Sequence, residues 1–358
     1  GSEMCIRDSY DILCLKKDSR KEKIEMPFIE EIKNRAKQQI KTIILPEATD
    51  IRILKAAQIV NKEKYAKVAL IGNKEEIERL IKENNLELGD TQIIDPAKSD
   101  KTSEYAKELY ELRKAKGMTE EQAQKLILEP IYYGMMMVKL NHADGLVSGA
   151  AHSTADTLRP ALQILKTAPG TRLVSAFFVM VVPNCEYGAN GTFIFADSGL
   201  NEEPDAEKLS EIAISSSKSF KQLVGEEPKV AMLSYSTYGS AHSASTEKVV
   251  EATKLAKEKA PELLIDGELQ LDAAIIPEVA EFKAKGSPLK GEANVLVFPD
   301  LGAGNIGYKL TQRLAKAEAY GPLCQGIARP VNDLSRGCSS EDVAGVVAIT
   351  AVQAQSQG

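Results

Sequence analysis

From Pro27 onward the chain alternates between stretches of helical periodicity and apolar runs of four to seven residues, and this rhythm restricts the fold more than any other feature. Short apolar runs buried on both faces need helices to cover them, so the alternation predicts βαβ units around mostly parallel sheets. Helices are expected over 28–37, 50–62, 74–84 and 102–116, the last stopped by Gly117, with strands over 42–45, 68–71 and 92–95. A helix from Thr119, a Met-rich helix over 134–140 and a strand over 145–148 follow. The second half continues with strands over 176–182, 193–196, 230–233, 263–266 and 295–298. At 358 residues the chain should hold about two domains. No repeat or low-complexity linker marks their boundary. The Pro169-Gly170 turn before the longest apolar strand is the expected crossover into the second domain, and Gly321-Pro322 the expected return. That divides the chain into domain 1, 26–168 plus 322–358, and domain 2, 169–321. Residues 1–25 are polar and mixed in charge; we expect a poorly ordered leader, a natural start at Met26, and a cloning remnant in Gly1-Ser2.

Lys and Arg total 45 against 51 Asp and Glu, a net charge of -6, which argues against a general nucleic-acid or membrane-surface binder. Aromatics at 5% with no Trp disfavour base- or sugar-stacking platforms. The most apolar run, 173–182, is half the ~20 residues a membrane span needs and ends at Pro183, so it reads as a buried strand. Cys5, Cys14, Cys185, Cys324 and Cys338 never form a C-x-x-C pair, so no zinc or dithiol motif is written here, and their scatter fits a reducing cytoplasm. Only His142, His152 and His242 supply imidazoles.

Three segments carry candidate chemistry. GAGNIG, from Gly302 to Gly307, follows a strand and opens a helix, the local context of a dinucleotide fingerprint. Pro299-Asp300-Leu301 intervene, however, and no strand ending in an acidic residue follows about 20 residues on. Nucleotide wrapping, a tight turn with close helix–sheet packing, and a glycine loop shaping another pocket all stay open. In SGAAHSTADTLRP, from Ser148 to Pro160, small residues lead into hydroxyls and then Arg159. Proline is tolerated in a first helical turn, so Arg159 is expected near a helix N-terminus, where free N–H groups favour an anion. The plainer reading is capping by Ser153, Thr154 or Asp156, with Arg159 solvated and His152 a local hydrogen-bonding residue. In PVNDLSRGCSSED, Ser339 and Asp342 have capping-box spacing before an apolar helix over 343–352, which alone makes Asp342 a cap carboxylate. The same helix start gathers Ser335, Arg336 and free N–H groups around a spot able to hold a phosphate or a developing oxyanion.

GLVSGAAHSTADTLRPALQI, FADSGLNEEPD, LSYSTYGSA, DGELQLDAA, FPDLGAGNIGYKLTQRLAKAEAYGP and PVNDLSRGCSSEDV closely resemble the phosphate acetyltransferase (phosphotransacetylase) family, over about Met26 to Gln355. The resemblance implies two α/β domains with mostly parallel sheets and the active site in the interdomain cleft, similar to the isocitrate and isopropylmalate dehydrogenases. It implies reversible transfer of an acetyl group between coenzyme A and inorganic phosphate, without metal or bound cofactor. A cytoplasmic homodimer is implied, coupled in acetate metabolism to an acetate kinase, with no nucleic-acid or membrane partner. By motif match Ser335 and Arg336 look like the family's active-site pair and Asp342 like its general base. Arg159, and Arg113 in YELRKAKG, look like its substrate-anion arginines, with Ser153 and Thr154 beside them as substrate-binding candidates. GAGNIG falls in a family segment where no NAD is bound.

The expected route is direct attack of the coenzyme A thiol in a ternary complex, with an acyl-enzyme on Cys338 as competitor. A phosphate butyryltransferase-type enzyme is the nearest alternative. An NAD(P)-dependent decarboxylating dehydrogenase of the same fold would have to place its metal on Asp266, Glu268 and Asp272. A catalytically silent acyl-CoA or phosphate sensor is the reading from another class.

Overall fold

A computed structural model describes residues 27–356; the expected leader over 1–25 and the start at Met26 lie outside the described residues. The chain begins with α1 (Phe28–Gln38), whose face at Phe28, Ile32 and Ala36 is buried, followed by β1 (Thr42–Leu45) and α2 (Ile51–Glu63). Then come β2 (Lys67–Ile71), α3 (Lys74–Glu83), β3 (Gln92–Ile94) and α4 (Thr102–Arg113). Gly117, at a φ of 86°, ends the turn that follows α4 in the left-handed region where glycine is least strained. The helices α5 (Glu120–Leu126) and α6 (Pro130–Lys139) lead into β4 (Gly145–Val147) and α7 (Thr154–Ile164). The second half runs β5 (Ser175–Val181), β6 (Thr192–Ala196), α8 (Ala206–Leu223), β7 (Lys229–Leu233) and α9 (Ala244–Lys259). It continues through β8 (Leu264–Leu269), α10 (Leu271–Ile275), α11 (Pro277–Lys283), β9 (Val295–Val297) and α12 (Leu301–Leu314). The strands β10 (Glu318–Gln325) and β11 (Val331–Asn332) precede the last helix, α13 (Ser340–Gln355).

The strands form two sheets, ordered β11-β4-β1-β2-β3 and β10-β5-β6-β9-β7-β8. Every pairing in the first is parallel; in the second, β5 pairs antiparallel with β6 and β10, and the remaining pairings are parallel. The expected α/β class with mostly parallel sheets therefore holds. Periodicity offered neither β10 nor β11. β10 is an edge strand of irregular composition with Gly321-Pro322 in its middle, where its register against β5 shifts between Tyr320 and Leu323. An edge is where a strand tolerates proline.

The helix α13 is buried without a break from Val343 to Ala354 and packs on α1, α2, β4 and β10. A helix apolar all round has no water-facing side and must be enclosed. Two of its buried polar side chains, Thr350 and Gln353, meet Asn332 of β11. Asn332 Nδ2 donates to Gln353 Oε1 at 2.6 Å and to Thr350 Oγ1 at 2.8 Å. Nearby, Gln325 Nε2 donates to Ser175 and Ser216, each at 2.9 Å, and Ser219 donates to its Oε1 at 2.7 Å. Buried amides require such partners.

Two local expectations are corrected. Ser153 caps α7, and the helix therefore starts at Thr154, which puts Arg159 and Pro160 in its second turn and not at its N-terminus. Asp300 caps α12 by accepting the Ala303 N–H at 2.8 Å, so the GAGNIG glycines are helical and form no phosphate loop. A Cβ at Gly304 would lie 2.3 Å from the Asp197 carbonyl oxygen, and one at Gly307 2.9 Å from the Phe298 ring. These glycines let α12 close on the sheet, and the dinucleotide-wrapping reading fails.

Candidate active site

Because β1 and β4 are parallel neighbours, the turns after them lie side by side. Glu47, after β1, is only 4% exposed, and its two carboxylate oxygens accept the N–H groups of Gly149, Ala150, Ala151 and His152, all at 2.9 Å. His152 Nδ1 adds a fifth contact at 2.7 Å, the local role expected for that residue. Consecutive N–H groups of this kind make an anion-binding concavity, and here the protein's own carboxylate fills it.

Asp333, after β11, is 1% exposed and accepts the Thr154 hydroxyl at 2.6 Å. Ser153 meanwhile serves α7, accepting the Asp156 N–H at 3.3 Å. Burial, reinforced by the Glu47 carboxylate and opposed by Thr154 and the Leu334 N–H, pushes the Asp333 carboxyl up to about 6. A raised folded-state value favours the protonated form, so this group's contribution to stability is full below ~3.9 and is lost as pH rises through about 6. The Asp333→Asn protein is therefore expected to match the parent near pH 4 and to exceed it by up to about 3 kcal/mol at pH 8. Urea denaturation at both pH values checks this; a gap that does not widen with pH would show that Asp333 folds ionised.

At the start of α13 the capping box is complete: Asp342 N–H donates to Ser339 Oγ at 3.0 Å, and Ser339 N–H donates to Asp342 Oδ2 at 2.9 Å. Asp342 is exposed and, with Ser335, lines a cavity of about 580 Å³ whose wall also includes Tyr308, Lys309 and Arg313 of α12 and Tyr320 of β10. Two cations on successive turns of α12 thus share the cavity with the Ser335–Asp342 segment. Arg336 is exposed beside Ser335. Cys338 is 7% exposed, and burial pushes its thiol up to about 11 despite the nearby Arg52. A thiol so protonated is a poor nucleophile, which counts against the acyl-enzyme route.

Arg113, the last residue of α4, and Arg159, exposed on α7, both bear on Tyr132: burial raises its hydroxyl, and the two guanidinium groups oppose that rise. Arg113 Nε is buried without a hydrogen-bond partner, and neither arginine lines the Ser335–Asp342 cavity. The arrangement thus gathers Ser335, Arg336 and Asp342 at one helix start, connects Ser153 and Thr154 to them through Asp333, and holds the arginine pair apart. The carboxylates of DGELQLDAA are engaged elsewhere. Asp266 binds Lys257, Tyr238 and Ser287, Glu268 binds Ser236 and the Gly239 N–H, and Asp272 binds Lys283. Among the described residues no group of three or more His, Cys, Asp or Glu is placed to hold a metal ion.

Sequence reasoning missed Glu47, Arg52, Asp333, Lys309 and Arg313. Glu47 was findable by asking what satisfies the N–H groups of a small-residue loop, and Lys309 with Arg313 by their i, i+4 spacing on an amphipathic helix.

Residues 27–351 match the model of a family described as phosphate acetyl/butaryl transferase. The chain is 68% identical over 330 residues to a phosphate acetyltransferase of Acetivibrio thermocellus, covering 92% of this chain and 99% of that one. It is 53% identical over 330 residues to a phosphate acetyltransferase of Clostridium acetobutylicum, again covering 92% and 99%. Among solved structures, a phosphotransacetylase from Staphylococcus aureus superposes with a TM-score of 0.84 at 47% identity, covering 91% of this chain and 99% of that one. A branched-chain phosphotransacylase from Enterococcus faecalis, at 19% identity and a TM-score of 0.64 over 88% and 99%, shares the fold.

Proposed function

The chain belongs to the phosphate acetyl/butaryl transferase family, and on that basis we propose that it is a phosphate acetyltransferase, moving an acetyl group reversibly between coenzyme A and inorganic phosphate. The observation that carries this reading is the cavity at the α13 N-terminus, where Ser335 and Asp342 share a wall with the cations Lys309 and Arg313. A phosphoryl group needs cations, a carbonyl becoming an oxyanion needs a donor, and a thiol needs a base.

In this reading coenzyme A and acetyl phosphate are bound together. Arg336 grips the phosphoryl group through its planar fork and stabilises the departing phosphate. The Ser335 hydroxyl donates to the carbonyl oxygen as it gains charge. Asp342 takes the proton from the thiol as the carbon–sulfur bond forms. Arg113 and Arg159 hold the phosphates of coenzyme A, while Ser153 and Thr154 contact substrate from the α7 end. The reaction uses no metal or bound cofactor.

We read the two sheets as the cores of two domains, 26–168 with 322–358 and 169–321, with β10 carrying the second sheet past the return as far as Gln325; the arrangement is that of the isocitrate and isopropylmalate dehydrogenases, and the cavity is the cleft between them. The enzyme is a cytoplasmic homodimer coupled to an acetate kinase in acetate metabolism. A test is phosphate-dependent release of thiol from acetyl-, propionyl- and butyryl-CoA. Fastest release from acetyl-CoA is expected; fastest release from butyryl-CoA would make the enzyme a butyryltransferase, and no phosphate-dependent release would reject acyl transfer.

A further inference from the structure

The β1–α2 turn supplies no group to the reaction proposed above, yet it grips both segments that do. Arg52, in the first turn of α2, is itself aimed by Asp50, which accepts its Nη2 at 2.6 Å and its Nε at 3.0 Å. So oriented, Nη1 donates to the carbonyl oxygens of Arg336 at 2.7 Å and Cys338 at 3.1 Å, and Nη2 donates to that of Ala150 at 2.8 Å. One guanidinium therefore joins the turn bearing Ser335 and Arg336 to the loop leading into Ser153 and Thr154. Within itself that turn has little to hold it: the Cys338 N–H reaches Ser335 O at 2.9 Å, and the Gly337 N–H reaches Ser335 Oγ at 3.3 Å. Ser335, Arg336 and Gly337 are all exposed. The opposite side of the Ala150 loop is fixed by Glu47, so Arg52 ties an exposed turn with few bonds of its own to a loop already anchored.

We propose that Arg52 is a positioning residue for acyl transfer, locking the Ser335–Arg336 turn against the Ala150 loop so that the Arg336 side chain meets the phosphoryl group in one orientation. This rests on the role given to Arg336 above. The Arg52 guanidinium is engaged by Asp50 and by the carbonyl oxygens of Ala150, Arg336 and Cys338, so it is not assigned a substrate contact. An ammonium carries its donors on a single atom and cannot span both loops, which makes lysine a poor replacement.

The test is a double-mutant cycle of Arg52→Gln with Arg336→Gln, alongside Arg52→Lys, reading kcat, KM for each substrate and Tm. Displacement of reacting groups by about 1 Å costs on the order of 100-fold, and we expect that loss in kcat for both Arg52 variants. KM for coenzyme A, held elsewhere, should change by no more than about twofold, a split that general loosening of the fold would not give. In the Arg336→Gln background the Arg52→Gln change should cost clearly less than in the parent, about tenfold or under, because there is no longer a guanidinium to aim and only Ser335 is still displaced. Full losses that multiply would overturn the inference while leaving the reaction intact, as would unchanged kcat in both Arg52 variants. An Arg336→Gln protein with parental kcat would instead remove the premise, and the inference with it. If Arg52→Gln does not fold, Arg52→Lys carries the same cycle.

Discussion

Asp342→Asn is expected to lower kcat by about 10²–10⁴ with little change in KM, while Tm falls by no more than a few degrees. The substitution separates two roles that coincide at this position. As a cap, Asp342 accepts the Ser339 N–H through Oδ2 and donates its own N–H to Ser339 Oγ. An asparagine amide oxygen can accept the same N–H, and the backbone bond is untouched. What is lost structurally is a negative charge near a helix N-terminus, worth about 0.3–1 kcal/mol. What is lost chemically is the proton acceptor. Asp342→Ala, which removes the side-chain acceptor as well, should show the same kcat and a further cost of about 0.5–2 kcal/mol. If Asp342 is only a cap, Asn retains parental kcat and Ala lowers Tm alone; steady-state kinetics with thermal melts of both proteins decide between the two.

The size of the expected loss depends on how a weak base serves a weak acid. A thiol near ~8.5 and a carboxylate near ~3.9 are mismatched by about 6 kcal/mol for complete proton transfer. Proton removal must therefore accompany carbon–sulfur bond formation, and the carboxylate matters most when the thiol is protonated. Accordingly the deficit of the Asn protein should shrink as assay pH approaches ~8.5 and free thiolate becomes abundant.

The sequence exposed the parts of this molecule that obey a local rule. Four of the strands of the first sheet are short apolar runs with helices between them, and the Ser339–Asp342 capping box is complete at the spacing that announced it. The missing parts depend on contacts remote in the chain. β11 is two residues long and exists because β4 offers it a parallel edge. Arg159 was expected at a helix start because Pro160 favours first turns, but the Ser153 cap outweighed that local preference. GAGNIG carries a phosphate-loop spacing, yet its glycines answer to Asp197, far away in sequence, and to the ring of Phe298 just after β9. Arg52 bonds carbonyls of residues 150, 336 and 338, a pattern no spacing within the β1–α2 turn could disclose.

The second large effect is expected from a single methyl group at Gly149. Its φ of +120° is one that residues with side chains rarely adopt, and a Cβ there would sit 2.2 Å from Asp333 Oδ1, 2.6 Å from Leu334 N and 2.8 Å from Leu334 O. Two of these atoms are backbone and cannot swing aside. Ser148 N–H, one residue earlier, donates to Asn332 O at 3.1 Å, so the pairing of β4 with β11 leaves no slack. Gly149→Ala must therefore lift the loop from Glu47 or push Leu334, and with it Ser335 and Arg336, out of place. The expected cost is about 3–5 kcal/mol of stability. A displacement of about 1 Å at Ser335 and Arg336 should in addition lower kcat/KM on the order of 100-fold in the protein that remains folded. Gly170→Ala provides the control, because Gly170 also has a positive φ, +77°, but nothing lies within 4 Å of its Cβ position. It should show conformational strain alone, about 1–2 kcal/mol, with activity retained. Urea denaturation and thiol release measured on both proteins make the comparison, and a Gly149→Ala protein as mildly affected as Gly170→Ala would mean that the loop is not bolted to the Ser335–Arg336 turn at all.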